Sequence, residues 1–250
     1  MQQQSKSDSV INQLRDDNEY YSGLGKMWLS NSDIKTLLEN PSAFGKPRED
    51  SSALIQGRYL HTLLLEPEKI KDFHVVNTAT RNNKEYKEYC SNNSIDYALL
   101  SKEIESLDAM GNALKSNIFF YEQMYKPGNL YEEPAIGEIK GVGWKGKADI
   151  VTDEYIIDVK TTSDINKFKY VAKTYNYDSQ CYIYQQLFSK PMCFFVVDKE
   201  TYQIGVFTPT SSFLESGEQK VIRAIEVYNK YFSVDAKESI SDFFINDTLQ

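Results

Sequence analysis

The sequence predicts an α/β fold, a sheet flanked by helices, and three observations lead to this prediction. The chain of 250 residues is long enough for one sizeable core, and 41% of its residues are hydrophobic. Its first half carries apolar residues at helical spacing, whereas short β-prone runs begin near Leu130. Helical segments then alternate with further strands, which is the order of elements in an α/β sandwich.

The first half is predicted to be mostly helical. Ser32 is a candidate N-cap for a short helix that ends near Leu38. Ser51 or Ser52 opens a longer helix that Pro67 stops, because proline cannot continue a helix. The predicted helices span residues 32–38, 52–66 and 101–114.

The second half is predicted to supply the sheet. Its β-prone runs are separated by glycine or acidic turn residues, and each is four to ten residues long. The predicted strands are residues 130–135, 138–147, 155–160, 192–198 and 203–208. The predicted helices between and after them are residues 165–174, 178–188 and 212–231.

Polar stretches at both ends set the limits of the predicted domain. Residues 1–25 are expected to form a flexible arm, residues 26–235 a single domain and residues 236–250 a tail. A net charge of −8 argues against a protein that coats nucleic acid, because neutralising phosphates requires clustered Lys and Arg. It does not argue against an enzyme with acidic metal ligands, whose charge a bound cation offsets locally.

The cysteines are too few and too scattered for a disulfide framework or a four-cysteine metal or iron–sulfur site; they are Cys90, Cys181 and Cys193. The sequence therefore predicts a reduced, cytoplasmic protein. We find no apolar run as long as the roughly 20 residues of a membrane span and no apolar core of a signal peptide. No contact with a membrane is expected.

Residues 146–162, GKADIVTDEYIIDVKTT, carry the candidate chemistry. Strand alternation puts Asp158 and Lys160 on one face, because side chains two residues apart project in the same direction. Asp149 ends the preceding strand and meets them across a hairpin at residues 152–154. Two carboxylates and one amine are therefore expected to share a pocket.

Such a pocket suits Mg²⁺ or Mn²⁺, which bind one or two carboxylates together with waters and a substrate phosphate. An ion of this kind lowers the pKa of a water and stabilises charge on the attacked phosphate. Lys160 would orient or help deprotonate that water, and the carbonyl of Val159 is a further candidate ligand. A D-x-K tripeptide alone is common on solvated surfaces, so the surrounding residues decide its meaning.

Gln180 and Tyr184 add to the motif, since a spacing of four puts both on one helix face. Together with the two aspartates and the lysine they form a D…D-x-K…Q-x-x-x-Y pattern that resembles the RecB-type branch of the PD-(D/E)XK nucleases. Residues 57–70, GRYLHTLLLEPEKI, resemble the histidine-bearing helix of the RecE, or exonuclease VIII, group. Residues 30–44, SNSDIKTLLENPSAF, are similar to the opening segment of that group.

The resemblance covers residues 30–207 and implies a restriction-endonuclease-like core, with a central mixed sheet flanked by helices. It implies catalytic roles around the lysine and metal ligation by the two aspartates and a histidine. The implied catalytic residues are Asp149, Asp158, Lys160, Gln180 and Tyr184, the last two near the DNA phosphate or the lysine. A histidine on an apolar helix is more often a core residue, but the match around His61 favours a metal ligand.

A glutamate on the strand before the first aspartate often completes such sites, and Glu132 or Glu133 fits this position. Strand alternation lets one of the two face the pocket, and the spacing to Pro134 favours Glu132. The expected metal ligands are thus His61, Glu132, Asp149, Asp158 and the carbonyl of Val159.

The function implied by the resemblance is a Mg²⁺- or Mn²⁺-dependent exonuclease. It would digest linear double-stranded DNA from its ends, 5′ to 3′, in phage or prophage recombination. The same group implies a ring-shaped homo-oligomer and a single-strand annealing protein as partner. The alternatives are an endonuclease of the same superfamily and an inactive nuclease fold that binds DNA or a protein.

Overall fold

Helices dominate the chain up to residue 124 in the structure, a computed structural model that describes residues 9–47 and 50–245. They are α1 Asp17–Tyr21, α2 Asn31–Glu39, α3 Ser52–Leu65, α4 Lys84–Asn92, α5 Ser101–Ser116 and α6 Ile118–Met124. Two short parallel strands, β1 Val75–Val76 and β2 Leu99–Leu100, lie among them. Short 3₁₀ turns occupy Leu24–Met27, Pro41–Ala43 and Pro67–Asp72.

The helix starts follow from local capping contacts. α3 begins after Ser51, whose Oγ accepts a hydrogen bond from the backbone nitrogen of Leu54, and it ends just before Pro67 as predicted. α2 begins after Ser30 rather than at the predicted Ser32. The reason is Asp33, whose Oδ2 accepts the backbone N–H of Ser30 at 2.8 Å and so fixes Ser30 as the cap.

A five-stranded mixed sheet forms the centre of the second half, as predicted. Its strands are β3 Leu130–Ile139, β4 Val142–Val151, β5 Ile156–Thr162, β6 Met192–Asp198 and β7 Ile204–Phe207, in the order β3-β4-β5-β6-β7. β5 and β6 run parallel, and the other neighbours are antiparallel. The remaining helices are α7 Phe168–Val171, α8 Tyr177–Phe188 and α9 Ser211–Tyr231.

The first hairpin turns later than the sequence pattern predicts. The β-prone runs suggest a break at residues 136–137, but β3 continues to Ile139 and Gly137 pairs with Trp144. The turn falls instead at Lys140 and Gly141, whose φ angles are 51° and 81°. Two successive residues with positive φ match the twist of a two-residue hairpin, so the turn conformation and not the first glycine sets its position.

The helices cover both faces of the sheet. On one face α2, α8 and α9 pack on Trp144, Phe194 and Val196. On the other face α3, α5 and α6 pack on Ile157, Phe195 and Val197. Successive residues of β6 thus enter opposite cores, as the pleat requires. This is the predicted α/β sandwich, with the candidate residues on its central strands.

The described part of the predicted N-terminal arm is ordered as helix. Residues 9–14 and α1 are helical, although the polar composition of this region predicts a loosely docked arm. Leu14 and Tyr20 are buried, so two apolar anchors within a polar sequence fasten the segment to the domain. Residues 1–8 lie outside the described part. None of the helices in residues 9–47 and 50–245 combines the length and apolarity of a membrane span.

Candidate active site

The candidate site lies where β4 and β5 part. Their backbone ladder, within the described residues, consists of the pairs Ile150–Ile157 and Val151–Ile156. Asp149, the next residue of β4, takes over the role of a ladder partner, because its Oδ2 accepts the N–H of Val159 at 2.7 Å. This bond satisfies the buried N–H of Val159 at the point where the two strands diverge, and it fixes the orientation of the Asp149 carboxylate.

The strand is distorted at the same place. Ala148 packs in the core with Trp144, whereas Ile150, two residues on, packs in the opposite core. A regular strand would direct both to one face. Glu132, across from Asp149 on β3, has a φ of 46°, which is strained for a residue with a Cβ. Such strain is typically found at functional sites, and here it occurs where the carboxylates of Glu132 and Asp149 both face the cleft.

Three predicted metal ligands converge at this distortion. His61, Glu132 and Asp149 each offer a ligand atom, and these atoms lie within 4.8 Å of one another; we call them the metal cluster. Glu132 faces the cleft, whereas Glu133 faces away and pairs with Arg15 at 2.6 Å. The structure therefore brings Glu132, and not Glu133, to His61.

His61 supplies the positive charge within the metal cluster. Its Nε2 lies 2.9 Å from the carbonyl oxygen of Val159, which only accepts, so Nε2 carries a hydrogen. Its Nδ1 lies 3.3 Å from Oδ1 of Asp149 and 4.0 Å from Oε1 of Glu132. Burial opposes a charge on the ring, but Asp149 outweighs it and raises the pKa of His61 to about 9. Burial likewise acts to raise the pKa of Asp149, yet His61 and Lys160 hold it below its ordinary value.

Asp158 and Lys160 form the second half of the site. They project from the same face of β5, and Nζ of Lys160 lies 2.5 Å from Oδ2 of Asp158. Burial opposes the charge of Lys160, but the carboxylates of Asp158 and Asp149 outweigh it and raise the pKa of its amine. Burial raises the pKa of Asp158 to about 6 despite the lysine. Lys160 is therefore a cation near neutral pH.

Gln180 and Tyr184 both reach the site from α8, but the first contacts a side chain and the second contacts the backbone. Nε2 of Gln180 donates to Oδ1 of Asp158 at 2.6 Å and orients that carboxylate. The hydroxyl of Tyr184 donates to the carbonyl of Lys147 at 2.9 Å, so it holds the backbone of β4. A Cβ on Gly146 would lie 2.8 Å from the Tyr184 ring, and the glycine is what lets this ring lie against β4.

All the predicted site residues thus lie in one region of the fold. Lys147, which has no role among the predicted site residues, lines the same cleft two residues before Asp149. Its spacing of two from Asp149 indicates this placement, because alternate residues of a strand share a face. Asp17 and Tyr21, which are also absent from the predicted site, line the cleft from the N-terminal segment. No local pattern marks those two residues.

The residues present fit a hard divalent cation. The donors are carboxylate oxygens, a carbonyl oxygen and an imidazole, which suit Mg²⁺ or Mn²⁺ better than a soft metal. The carboxylate of Asp158 is buried, with Gln180 at its Oδ1 and Lys160 at its Oδ2. Burial and the nearby Asp149 raise the pKa of Glu132 to about 8. A cation bound between Glu132 and Asp149 would offset this repulsion between the two carboxylates.

We predict that the metal-free protein loses stability as the pH rises from about 6 to about 9. The pKa values of His61 and Glu132 in the fold, about 9 and about 8, exceed their ordinary values of 6.5 and 4.5. The folded state then holds more protons than the unfolded chain in this window, so raising the pH favours unfolding. A change of about 1 kcal/mol moves the melting temperature of a domain this size by roughly 2–4 °C, and a fall of several degrees is expected.

Thermal unfolding in EDTA across this pH range measures the effect. Glu132→Gln should show a smaller fall, because it removes the group that would ionise on the way to pH 8. Glu133→Gln is the matched control, since Glu133 lies on the same strand but pairs with Arg15. It should keep the wild-type fall. A melting temperature that is constant or rises between pH 6 and 9 would contradict the prediction.

Comparisons with known proteins bear on the fold. A crystal structure of a candidate exonuclease from Eubacterium rectale superposes with a TM-score of 0.61 at 18% identity, covering 94% of this chain and 96% of that chain. At this identity the likeness is one of fold. A phage-related exonuclease from Haemophilus somnus 129PT matches over 81% of this chain and 94% of that chain at 15% identity, but its TM-score of 0.35 supports no argument.

The sequence itself matches a family over most of its length. No curated protein matches it significantly. Residues 30–240 match the family described as a PDDEXK-like domain of unknown function, DUF3799. This span contains every residue of the metal cluster together with Asp158, Lys160 and Gln180. The chain belongs to this family of PDDEXK-like domains.

Proposed function

We propose that the protein is a divalent-metal-dependent nuclease that digests linear double-stranded DNA from its ends. The observation that carries this proposal is the convergence of His61, Glu132 and Asp149 beside Lys160 in a PDDEXK-like domain. A cluster held only for stability would gain from apolar replacements, because the buried Asp149 and the partly buried Glu132 repel each other and oppose folding. Two carboxylates brought together at a strained strand position support a catalytic cation site.

The cleft above the cluster supports a nucleic-acid substrate. It has a volume of about 1440 Å³ and is lined by carboxylates and by six lysine or arginine cations. These are Arg58, Lys69, Lys147, Lys160, Lys167 and Lys199. A DNA groove needs positive charge only where the backbone runs, so this local set is compatible with a net charge of −8 for the chain.

The residues of the site have distinct tasks in this proposal. A divalent cation, when bound, would supply Lewis acidity to the attacked phosphate and to a water. Asp149, Glu132, Asp158, His61 and the Val159 carbonyl would hold it. Lys160 is cationic, so it donates hydrogen bonds to the water or the phosphate and stabilises charge that develops there. Gln180 keeps Asp158 oriented for this work.

The finer features of the proposal come from the RecE resemblance. They are 5′ to 3′ direction, a ring-shaped homo-oligomer, use of Mg²⁺ or Mn²⁺, and delivery of the single strand to an annealing protein in phage recombination. All of them stay predictions. End-labelled substrates would measure the direction of digestion, and sedimentation would measure the oligomeric state.

Incubation with linear and covalently closed circular duplex DNA tests the proposal. Linear DNA should be degraded in Mg²⁺ or Mn²⁺, the circle should survive, and EDTA should stop digestion. Ca²⁺ should support binding without cleavage, because it accepts the same oxygen ligands but activates water poorly. Cutting of the circle would favour an endonuclease. Binding without cutting in every metal would favour an inactive nuclease fold.

A further inference from the structure

Lys147 is one of the cations that line the cleft, and its amine is paired with a residue of the N-terminal segment. It lies on β4, two residues before Asp149, and lines the cleft beside the metal cluster. Its side chain is only 5% exposed, and its Nζ lies 2.5 Å from Oδ1 of Asp17. A buried ammonium requires a counter-charge, because loss of water disfavours its charged form. Asp17 supplies that charge in this structure.

Asp17 belongs to residues 9–29, which we call the N-terminal strap. The rings of Tyr20 and Tyr21 also cover Lys147, with centroids 4.7 and 5.6 Å from its Nζ. Tyr21 lines the cleft and is exposed, so the strap reaches the cleft mouth with α1. The strap group that a ligand in the cleft would meet at the Lys147 amine is therefore the exposed carboxylate of Asp17.

The strap is fastened by contacts that do not involve Lys147. The backbone of Leu29 exchanges hydrogen bonds with Gly143 and Lys145 of β4, at 3.0 and 2.7 Å. Arg15 binds Glu133, and Leu14 is fully buried. Asp17 itself has a side chain that is 62% exposed. Releasing its carboxylate from Lys147 does not require the rest of the strap to detach.

We propose that Lys147 holds a phosphate of the bound DNA strand beside the metal cluster, and that Asp17 occupies this phosphate position in the DNA-free protein. The inference rests on the nuclease function proposed above. A phosphodiester carries one negative charge, as the Asp17 carboxylate does, so exchanging them keeps Lys147 paired. Asp17 returns to water at little cost because it is already largely exposed. The strap and the DNA compete for one cation.

A purely structural ion pair makes a different prediction. If Asp17 serves only to neutralise Lys147 in the fold, its removal should lower stability without improving DNA binding. If Asp17 competes with DNA, its removal should strengthen binding, and the gain should depend on Lys147. The dependence of one substitution on the other separates the two cases.

Binding of a short fluorescently labelled duplex to the full chain, measured by anisotropy in Ca²⁺ at several salt concentrations, tests the proposal. Lys147→Met should weaken binding about fivefold and reduce the slope of log K against log salt by about one, as expected for one lost phosphate contact. Asp17→Asn should tighten binding about threefold. Asp153→Asn is the matched control, because Asp153 is also exposed and paired with a lysine, Lys126, at 3.2 Å.

The decisive variant combines Asp17→Asn with Lys147→Met. Competition predicts that Asp17→Asn then tightens binding no more than Asp153→Asn does. Equal gains with and without Lys147 would overturn the inference, since they would reflect net charge alone. Thermal unfolding shows whether the methionine variant folds, and Lys147→Gln replaces it in the same comparison if it does not. Wild-type protein that fails to bind DNA at all would instead remove the proposed function, and the inference with it.

Discussion

Lys160→Met is expected to lower the rate of DNA cleavage at least about a hundredfold in saturating Mg²⁺, with the fold intact. Nζ of Lys160 lies beside Asp158, and both Asp158 and Asp149 hold its pKa above the ordinary value despite burial. Under the proposed function the amine is a fixed cation beside the attacked phosphate, and methionine keeps its length while removing its charge. The measurement is single-turnover digestion of linear duplex DNA together with thermal unfolding.

Lys169→Met is the matched control for this substitution. Lys169 lies on α7 outside the cleft, with its amine 4.8 Å from the ring of Tyr170, and its loss should leave the rate near that of the wild type. Lys160→Arg keeps the charge but changes the reach, and an intermediate rate is expected. Cleavage by Lys160→Met at the wild-type rate, with an unchanged melting curve, would show that Lys160 is not catalytic.

The fold could be predicted where local signals decide it. Serine caps, Pro67 and apolar spacing predicted α3 almost to the residue, because a helix is determined by contacts within a few positions. The predicted helix at residues 165–174 shortens to Phe168–Val171. Asp198, far along the chain, holds the N–H of Ile165 at 2.9 Å, and that long-range contact favours a turn over a helical start. Propensity carries no information on such contacts.

The site could be predicted in part for the same reason. Asp158 and Lys160 share a face because strands alternate, and this follows from spacing alone. The positive φ of Glu132 and the shift in β4 beside it arise from packing between strands, which no short motif encodes. The contact between Asp17 and Lys147 joins residues 130 positions apart, and a polar strap carries no pattern that marks it.

The last prediction concerns His61, the residue that links the site most closely to the RecE resemblance. His61→Ala is expected to raise the Mg²⁺ or Mn²⁺ concentration for half-maximal cleavage at least about tenfold, as losing a group at a metal site typically does. In EDTA its melting temperature should also fall, because the buried carboxylate of Asp149 loses the imidazolium 3.3 Å away. Added metal should restore most of that loss, since a cation replaces the missing charge.

Metal titrations of cleavage and of thermal unfolding measure both effects. His74→Ala is the matched control: His74 is exposed, its Nδ1 contacts the Tyr89 hydroxyl at 3.2 Å, and its loss should leave the metal requirement unchanged. A core histidine would behave differently, because the cavity left by its removal lowers stability equally with and without metal. An unchanged metal requirement combined with a stability loss that metal does not repair would return His61 to the core and leave Glu132, Asp149 and Asp158 as the cation site.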